Sequence, residues 1–363
     1  MNIYLFSSAF SRTSGGIPNT AYYMHEFFAE SGNVVHSFSV SENEKSIASE
    51  VFCVSGSGIK KFISNSKRYV SEIRKVPNDN IAISLSWRYA IVPYMMHIIT
   101  RTPYVVMCHG NDVLPYSKGL RNYFEKILRK KVLRKSALIC ANSAFTKNLV
   151  CEIIPDASVD IIHPCSGEPV NKQKSSLTDE NFILSIGRIE ERKGCQYIVD
   201  ALAEIHDQFP DLKYYIAGDG PYKKELEEHI NNKRLQDSCV FLGRVTEDEK
   251  NKLLDNCRLL VMPSFLNRKY MSVEGFGIVY IEANAHGKPV VGTRSGGIPD
   301  AIIEGKTGFL VDEKNSKQLS MIMTEILTGQ VTISEDACYD WANQHYYKNL
   351  LGKYLAAFER VLS

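Results

Sequence analysis

From Glu274 to Glu282 the chain reads Glu-Gly-Phe-Gly-Ile-Val-Tyr-Ile-Glu, two carboxylates eight positions apart astride a Gly-x-Gly turn. The apolar run after the turn predicts a helix beginning near Gly277. The first turn of a helix has amides without intrahelical acceptors and the positive end of the dipole, so it suits an anion such as phosphate. Glu274 precedes the helix and Glu282 lies about one and a half turns into it, where either acid can accept hydrogen bonds from hydroxyl groups. That combination suits a sugar nucleotide, with the diphosphate on the amides, ribose on one acid and hexose on the other. Two acids so spaced also occur on solvated helices, so the reading requires a cationic partner. Ile186-Gly187-Arg188-Ile189-Glu190-Glu191-Arg192-Lys193-Gly194 supplies it directly after an expected strand. Arg188 offers a planar fork of donors and Lys193 a point charge, a pair suited to a diphosphate.

Further residues with chemical capacity stand at other expected strand ends. His109, in Cys108-His109-Gly110-Asn111-Asp112, can donate a hydrogen bond or carry a proton, and can equally be a structural histidine. Ser14-Gly15-Gly16-Ile17-Pro18, before a helix expected from about Asn19, is either an anion site or a tight turn. Ser143 is placed to cap a helix. Gly218-Asp219-Gly220-Pro221 resembles a dinucleotide fingerprint only superficially, because Lys223 occupies the place of its third glycine. The main chain of Leu242-Gly243-Arg244 can line a base pocket, and Ser295-Gly296-Gly297-Ile298-Pro299-Asp300 is another turn that opens a helix.

Leu120 to Lys135 carries Arg121, Lys126, Arg129, Lys130, Lys131, Arg134 and Lys135 against Glu125 alone. Leu120, Phe124, Ile127, Leu128 and Val132 recur at helical spacing, which predicts an apolar stripe packed on a sheet. A basic amphipathic helix of this kind suits an anionic membrane surface, and also reads as an ordinary solvated helix. Nucleic acid is not expected, since no binding motif or aromatic interleaving accompanies the charge.

The elements that must position these groups follow an alternating rhythm. Strands are expected at Asn2 to Ser7, Val34 to Val40, Ile81 to Leu85, Tyr104 to Cys108 and Ala137 to Ala141. The rhythm restarts at Phe182 to Ile186, Lys213 to Ala217, Val240 to Leu242, Leu259 to Met262, Pro289 to Gly292 and Gly308 to Val311, with helical patterns between most strands. Ser166 to Thr178 is polar and reads as a linker. An α/β chain of two doubly wound Rossmann-like domains facing across a cleft accounts for this, with ligands at the carboxyl ends of the strands. Its length of 363 residues accommodates two cores. Residues 1 to 165 hold 19 Lys/Arg against 12 Asp/Glu, so the basic half is the first and the acidic half the second. The nine cysteines show no C-x-x-C or zinc-ligand spacing and are expected as reduced thiols of a cytoplasmic protein. Met1 to Phe10 reads as a strand and not a signal peptide, and no apolar run approaches the roughly 20 residues of a membrane span.

With Gly187-Arg188 to Lys193-Gly194, Gly218-Asp219-Gly220-Pro221, Glu274 to Glu282 and Gly296-Gly297-Ile298-Pro299 in this order, the chain resembles a retaining glycosyltransferase of family four, with the GT-B fold. The likeness covers nearly the whole chain and is most specific in its second half. It implies that Arg188 and Lys193 hold the diphosphate and Glu282 the ribose. Glu274, with the amides of Phe276, Gly277 and Ile278, would orient the donor sugar; Gly218 and Arg244 complete the donor set. His109 would contact the sugar near the reacting carbon, and Gly16 would face the phosphate or the acceptor. Ile162-His163-Pro164-Cys165 departs from the family's Pro-Asn-Gly before the linker. Implied domains are an acceptor domain over 1–168, a nucleotide-sugar domain over 169–338, and a C-terminal helix over 339–363 that returns to the first domain. The expected activity is hexosyl or N-acetylhexosaminyl transfer, from a UDP-sugar ahead of a GDP-sugar, to a glycan or lipid-linked acceptor of bacterial cell-envelope polysaccharide such as O-antigen, lipopolysaccharide or capsule. No metal or other cofactor is expected, since no Asp-x-Asp occurs. A sugar-nucleotide 2-epimerase and a non-catalytic nucleotide-sugar-binding partner are the alternatives.

Overall fold

The computed structural model describes residues 1–12, 16–39, 51–53, 70–71, 73, 79–115, 120–167 and 181–362. Most of the expected linker, together with Ser14 and Gly15, lies outside the described residues. By internal contacts the chain divides into two units, Met1–Gly167 with Tyr346–Ser363, and Glu168–His345.

The first unit is built on seven parallel strands in the order β3-β2-β1-β4-β5-β6-β7. They are β1 (Asn2–Ser7), β2 (Val34–Ser39), β3 (Val51–Cys53), β4 (Asn80–Ser84), β5 (Tyr104–Cys108), β6 (Leu138–Ala141) and β7 (Val159–Ile161). Strands β4 and β5 are buried along their whole length, as a sheet covered on both faces requires. The short strands β3 and β7 are additions to the expected set. Helices α1 (Gly16–Glu30), α2 (Ile91–Thr100), α3 (Leu120–Lys135) and α4 (Ala144–Ile153) belong to this unit. Helix α1 begins at Gly16, three residues before the expected start. Ser143 caps α4, its hydroxyl accepting from the Thr146 amide at 3.2 Å.

The second unit has six parallel strands in the order β10-β9-β8-β11-β12-β13. These are β8 (Phe182–Ile186), β9 (Lys213–Ala217), β10 (Cys239–Gly243), β11 (Leu260–Val261), β12 (Val290–Thr293) and β13 (Gly308–Val311). Between and after them come α5 (Cys195–Ile205), α6 (Lys223–Asn232), α7 (Glu247–Asn256), α8 (Ile278–Ala285), α9 (Ile298–Ala301), α10 (Ser316–Leu327) and α11 (Glu335–Gln344). A last helix, α12 (Tyr347–Leu362), packs with the first unit.

The C-terminal segment expected as one helix from about Tyr339 is therefore two. The break falls at His345 and Tyr346 because each side is held by a different core. On α11, Trp341 donates from Nε1 to the Ala301 carbonyl at 2.9 Å. On α12, Tyr347 stacks on Tyr23, Phe358 meets the edge of Phe28, and the Tyr354 hydroxyl donates to the Ile162 carbonyl at 3.1 Å.

Candidate functional site

After β8 the chain passes Gly187 and Arg188 and tightens into a 3₁₀ turn at Glu191–Lys193, closed by Gly194 in the left-handed region. A Cβ on Gly194 would stand 2.2 Å from the Pro263 carbonyl oxygen, so only glycine fits beneath that strand end. The tight turn aims Arg192 and Lys193 inward together. Lys193 Nζ lies 2.5 Å from Glu274 Oε2, and Arg192 Nη1 lies 3.3 Å from the same oxygen. Arg192 Nε also reaches Glu190 at 2.9 Å. Arg188 pairs with Glu190 at 3.3 Å, but its side chain is 69% exposed and no contact joins it to Glu274. The cation beside Lys193 on Glu274 is thus Arg192, a residue to which the sequence reading gave no role.

Glu274 is fixed from behind. The Gly297 amide donates to its carbonyl at 2.9 Å, and a Cβ on Gly296 would come within 2.4 Å of that carbonyl oxygen. The Gly296-Gly297 turn therefore sets the height of the Glu274 backbone. Burial pushes the Glu274 carboxyl up, but Lys193 and Arg192 more than offset this and hold it below the usual carboxylate range. It is ionised at neutral pH. Gly277 then stands at the N-cap of helix α8, its left-handed φ of 95° matched by the Tyr280 ring occupying the space of a Cβ. Tyr280 is held by its hydroxyl, which donates to the Met262 carbonyl at 2.5 Å. Among the described residues the amides of Gly277 and Ile278 have no protein acceptor, as the first turn of a helix requires.

Glu282, within α8, is bound by Lys250 of α7 at 2.8 Å, and Lys250 also reaches Glu247 at 2.6 Å. Burial pulls the Lys250 ammonium down, and the two glutamates more than offset it, so its pKa lies above the ordinary value. Lys250 is a second charged partner that the linear reading missed, since nothing in the local pattern of α7 points to an acid 32 positions away.

The glycine loops after β8, β9 and β10 stack on one another. Gly187 donates to the Ala217 carbonyl at 2.9 Å, Ile189 to Asp219 at 3.0 Å and Gly218 to Gly243 at 2.7 Å. A Cβ on Gly218 would be 1.9 Å from the Gly187 oxygen. With its amide already used, Gly218 serves close backbone approach at the strand ends. Arg244 is exposed and has no side-chain partner among the described residues.

In the first unit, Gly16 opens α1 with a φ of 58°, and among the described residues nothing stands within 4 Å of where a Cβ would lie. The His109 amide donates to Asp112 Oδ1 at 2.8 Å, which closes the turn after β5. Its Nε2 is buried with no hydrogen-bond partner among the described residues. Burial holds the imidazole below its ordinary value against the opposing influence of Asp112 and the Leu85 backbone, leaving it neutral at pH 7.

Helix α3 spans the expected residues but is rotated from its expected setting. Arg129, grouped in the sequence with the outward cations, is 2% exposed and donates to the Leu114 carbonyl at 2.9 Å. Val132 and Leu133 join it on the buried side, where the Tyr104 hydroxyl donates to the Val132 carbonyl at 2.5 Å. Phe124 and Ile127, expected in the packed stripe, are 64% and 38% exposed. The Arg129 guanidinium finds carbonyls inward that phenylalanine could not satisfy, and with it inward Phe124 and Ile127 face out, while Val132 keeps its expected burial. Lys126, Lys130 and Lys131 stay exposed; Arg121 lies in the helix, with its side chain outside the description.

Residues 168–345 match the family model of glycosyl transferases group 1, and residues 14–165 that of glycosyltransferase family 4. The chain is 28% identical over 229 residues to an uncharacterised glycosyltransferase of Methanocaldococcus jannaschii, covering 63% of this chain and 59% of the relative. It is 31% identical over 156 residues to a GDP-mannose-dependent alpha-(1-6)-phosphatidylinositol monomannoside mannosyltransferase of Mycolicibacterium smegmatis, covering 43% and 41% respectively. The chain thus spans about half the length of these curated relatives. Anabaena HepE, solved with UDP and glucose, superposes with a TM-score of 0.76 at 20% identity over 98% of this chain and 99% of that one. The lipopolysaccharide outer core galactosyltransferase WaaB superposes with a TM-score of 0.72 at 15% identity, covering 98% and 100%. At such identities the likeness is one of fold.

Proposed function

The chain belongs to the family-four glycosyltransferases of GT-B fold, and from that premise we propose that it moves a hexose or N-acetylhexosamine from a nucleotide diphosphate sugar to a glycan or lipid-linked acceptor. The observation that carries the reading is the half-buried Lys193–Glu274–Arg192 cluster beside the open amides of α8. Two cations and a helix N-terminus can hold a diphosphate, and an ionised carboxylate can accept hydrogen bonds from sugar hydroxyls. In this reading Lys193 and Arg188 bind the diphosphate and Glu282 the ribose, while Glu274, held by Arg192 and Lys193, orients the sugar with the amides of Phe276, Gly277 and Ile278. Gly218 shapes the loop beside them, and Arg244 lies toward the base. His109 contacts the sugar near the reacting carbon, and Gly16 faces phosphate or acceptor. The exposed Lys126, Lys130 and Lys131 attract an anionic membrane surface, where a lipid-linked precursor of cell-envelope polysaccharide would be met.

Charge developing on the leaving diphosphate is met by these cations and amides in a preorganised site, which makes a metal-independent reaction the simpler route. Retention of configuration is carried over from the family resemblance, and because no carboxylate among the described residues stands out as a nucleophile, same-face attack is the favoured route, the leaving phosphate taking the acceptor's proton. A UDP-sugar is the preferred donor. A thermal-shift series with UDP- and GDP-sugars, followed by turnover with and without EDTA, tests this. A bound donor at 100 times its Kd stabilises by about 2.7 kcal/mol. No shift with any donor overturns the reading, and conversion of the sugar nucleotide without acceptor replaces it with an epimerase.

A further inference from the structure

The rotation of α3 leaves an apolar surface that the donor chemistry does not use. Tyr123, Phe124 and Ile127 of α3 are 61%, 64% and 38% exposed, and Met95, Ile98 and Ile99 of α2 are 41%, 58% and 62% exposed. The two helices run side by side. Arg88, just before α2, pairs with Glu125 of α3 at 3.2 Å. Farther along, Tyr94 and His97 of α2 meet the ring of Tyr104, whose hydroxyl holds the Val132 carbonyl of α3. Each helix buries its other face, Pro93 and Met96 on α2 and Arg129, Val132 and Leu133 on α3, so the exposed residues are those left over after packing. Helix α2 contains no Asp, Glu, Lys or Arg. Its single histidine is tied to the Thr102 carbonyl at 2.9 Å.

Six large apolar side chains on two adjacent helices exceed the scattered exposure that an ordinary surface shows. The same outer side of α3 carries Lys126, Lys130 and Lys131, all exposed, and the one acid of the helix, Glu125, is neutralised by Arg88. A ledge of apolar side chains flanked by cations is complementary to an anionic leaflet, where acyl chains take the apolar groups and headgroups meet the lysines. No helix among the described residues is long and apolar enough to cross a membrane, so the contact is made from the surface. We propose that the α2–α3 ledge inserts Ile98, Ile99, Phe124 and their neighbours into an anionic bilayer leaflet. It is the apolar counterpart of the electrostatic attraction in the proposed function, and rests on that reading only for what the docking serves.

Flotation of the full chain with phosphatidylcholine–phosphatidylglycerol vesicles, compared with phosphatidylcholine alone, tests the proposal without reference to turnover. Binding is expected to the anionic vesicles, and I98E/F124E should weaken it by about ten-fold or more with the thermal melt unchanged. In F124W the new indole should blue-shift on vesicle addition and be quenched by brominated lipid. Absence of flotation, or flotation without a blue shift that salt abolishes, overturns insertion. A concentration-dependent dimer in vesicle-free buffer that I98E/F124E dissolves also overturns it, because a second copy would then cover the ledge. Transfer to a water-soluble acceptor should be unchanged in I98E/F124E. Loss of wild-type transfer with flotation intact would instead strike the proposed activity and leave the ledge standing.

Discussion

Glu274 is gripped by two cations that linear spacing ranks differently from the folded turn. Lys193 and Arg192 are nearly buried and share one carboxylate oxygen, whereas Arg188 stands outside with Glu190. Lys193→Ala and Glu274→Ala are each expected to lower kcat/KM by about 100-fold or more, the size of a lost transition-state contact. Arg192→Ala should exceed Arg188→Ala in its effect on donor turnover, since only Arg192 supports Glu274; equal losses measured in parallel would discard the distinction. Acid should also weaken the fold through residues with depressed values. His109 and His286 are pushed below the ordinary imidazole value, first by burial, and Glu274 lies below the carboxylate range. Because the unfolded chain binds more protons, the histidine contribution is complete above about pH 6.5 and falls as pH drops through the lower folded values. The Glu274 contribution is complete above about pH 4.3 and is lost below that, through its folded value. A series of thermal melts from about pH 7 down to about pH 5 should therefore show falling Tm, with a shallower slope in His286→Asn.

Among the elements, α7 and the Gly296 turn act at a distance on the two acids. Thr246 caps α7 in a reciprocal capping box with Glu249, and α7 carries Lys250 to Glu282. Thr246→Ala should cost about 1 kcal/mol in chemical denaturation. Gly296→Ala must move either itself or the Glu274 carbonyl 2.4 Å away. It is expected to destabilise by about 1–3 kcal/mol and to depress turnover beyond what that stability loss explains, which activity measured well below the melting temperature would reveal. The strands themselves were legible in the sequence because a buried parallel sheet imposes uninterrupted apolar runs. The three-residue strands β3 and β7 were not, because they lie at the two edges of the first sheet, where a continuous apolar run is not imposed.

For the molecule as a whole, the last helix belongs to the first unit although the second unit precedes it in the chain. Phe358 and Tyr354 are fully buried there against α1 and the Ile162 carbonyl. Phe358→Ala should cost about 3–5 kcal/mol and lower the transition of the first unit while a donor-stabilised transition of the second stays in place. Calorimetry with and without UDP separates the two, and a single transition shifted as a whole would contradict independent cores.

The alternation of strands and helices, the Glu-x₇-Glu loop with its basic counterpart, and the family that these motifs indicate were all set by residue type and spacing, because backbone propensity and periodicity are local properties. Which arginine meets Glu274, that Lys250 binds Glu282, that Arg129 points inward while Phe124 points out, and that the C-terminal segment breaks at His345 were decided only by tertiary structure. Each depends on how far a helix or turn rotates to satisfy carbonyls and charges supplied by other elements, and no local pattern encodes that angle.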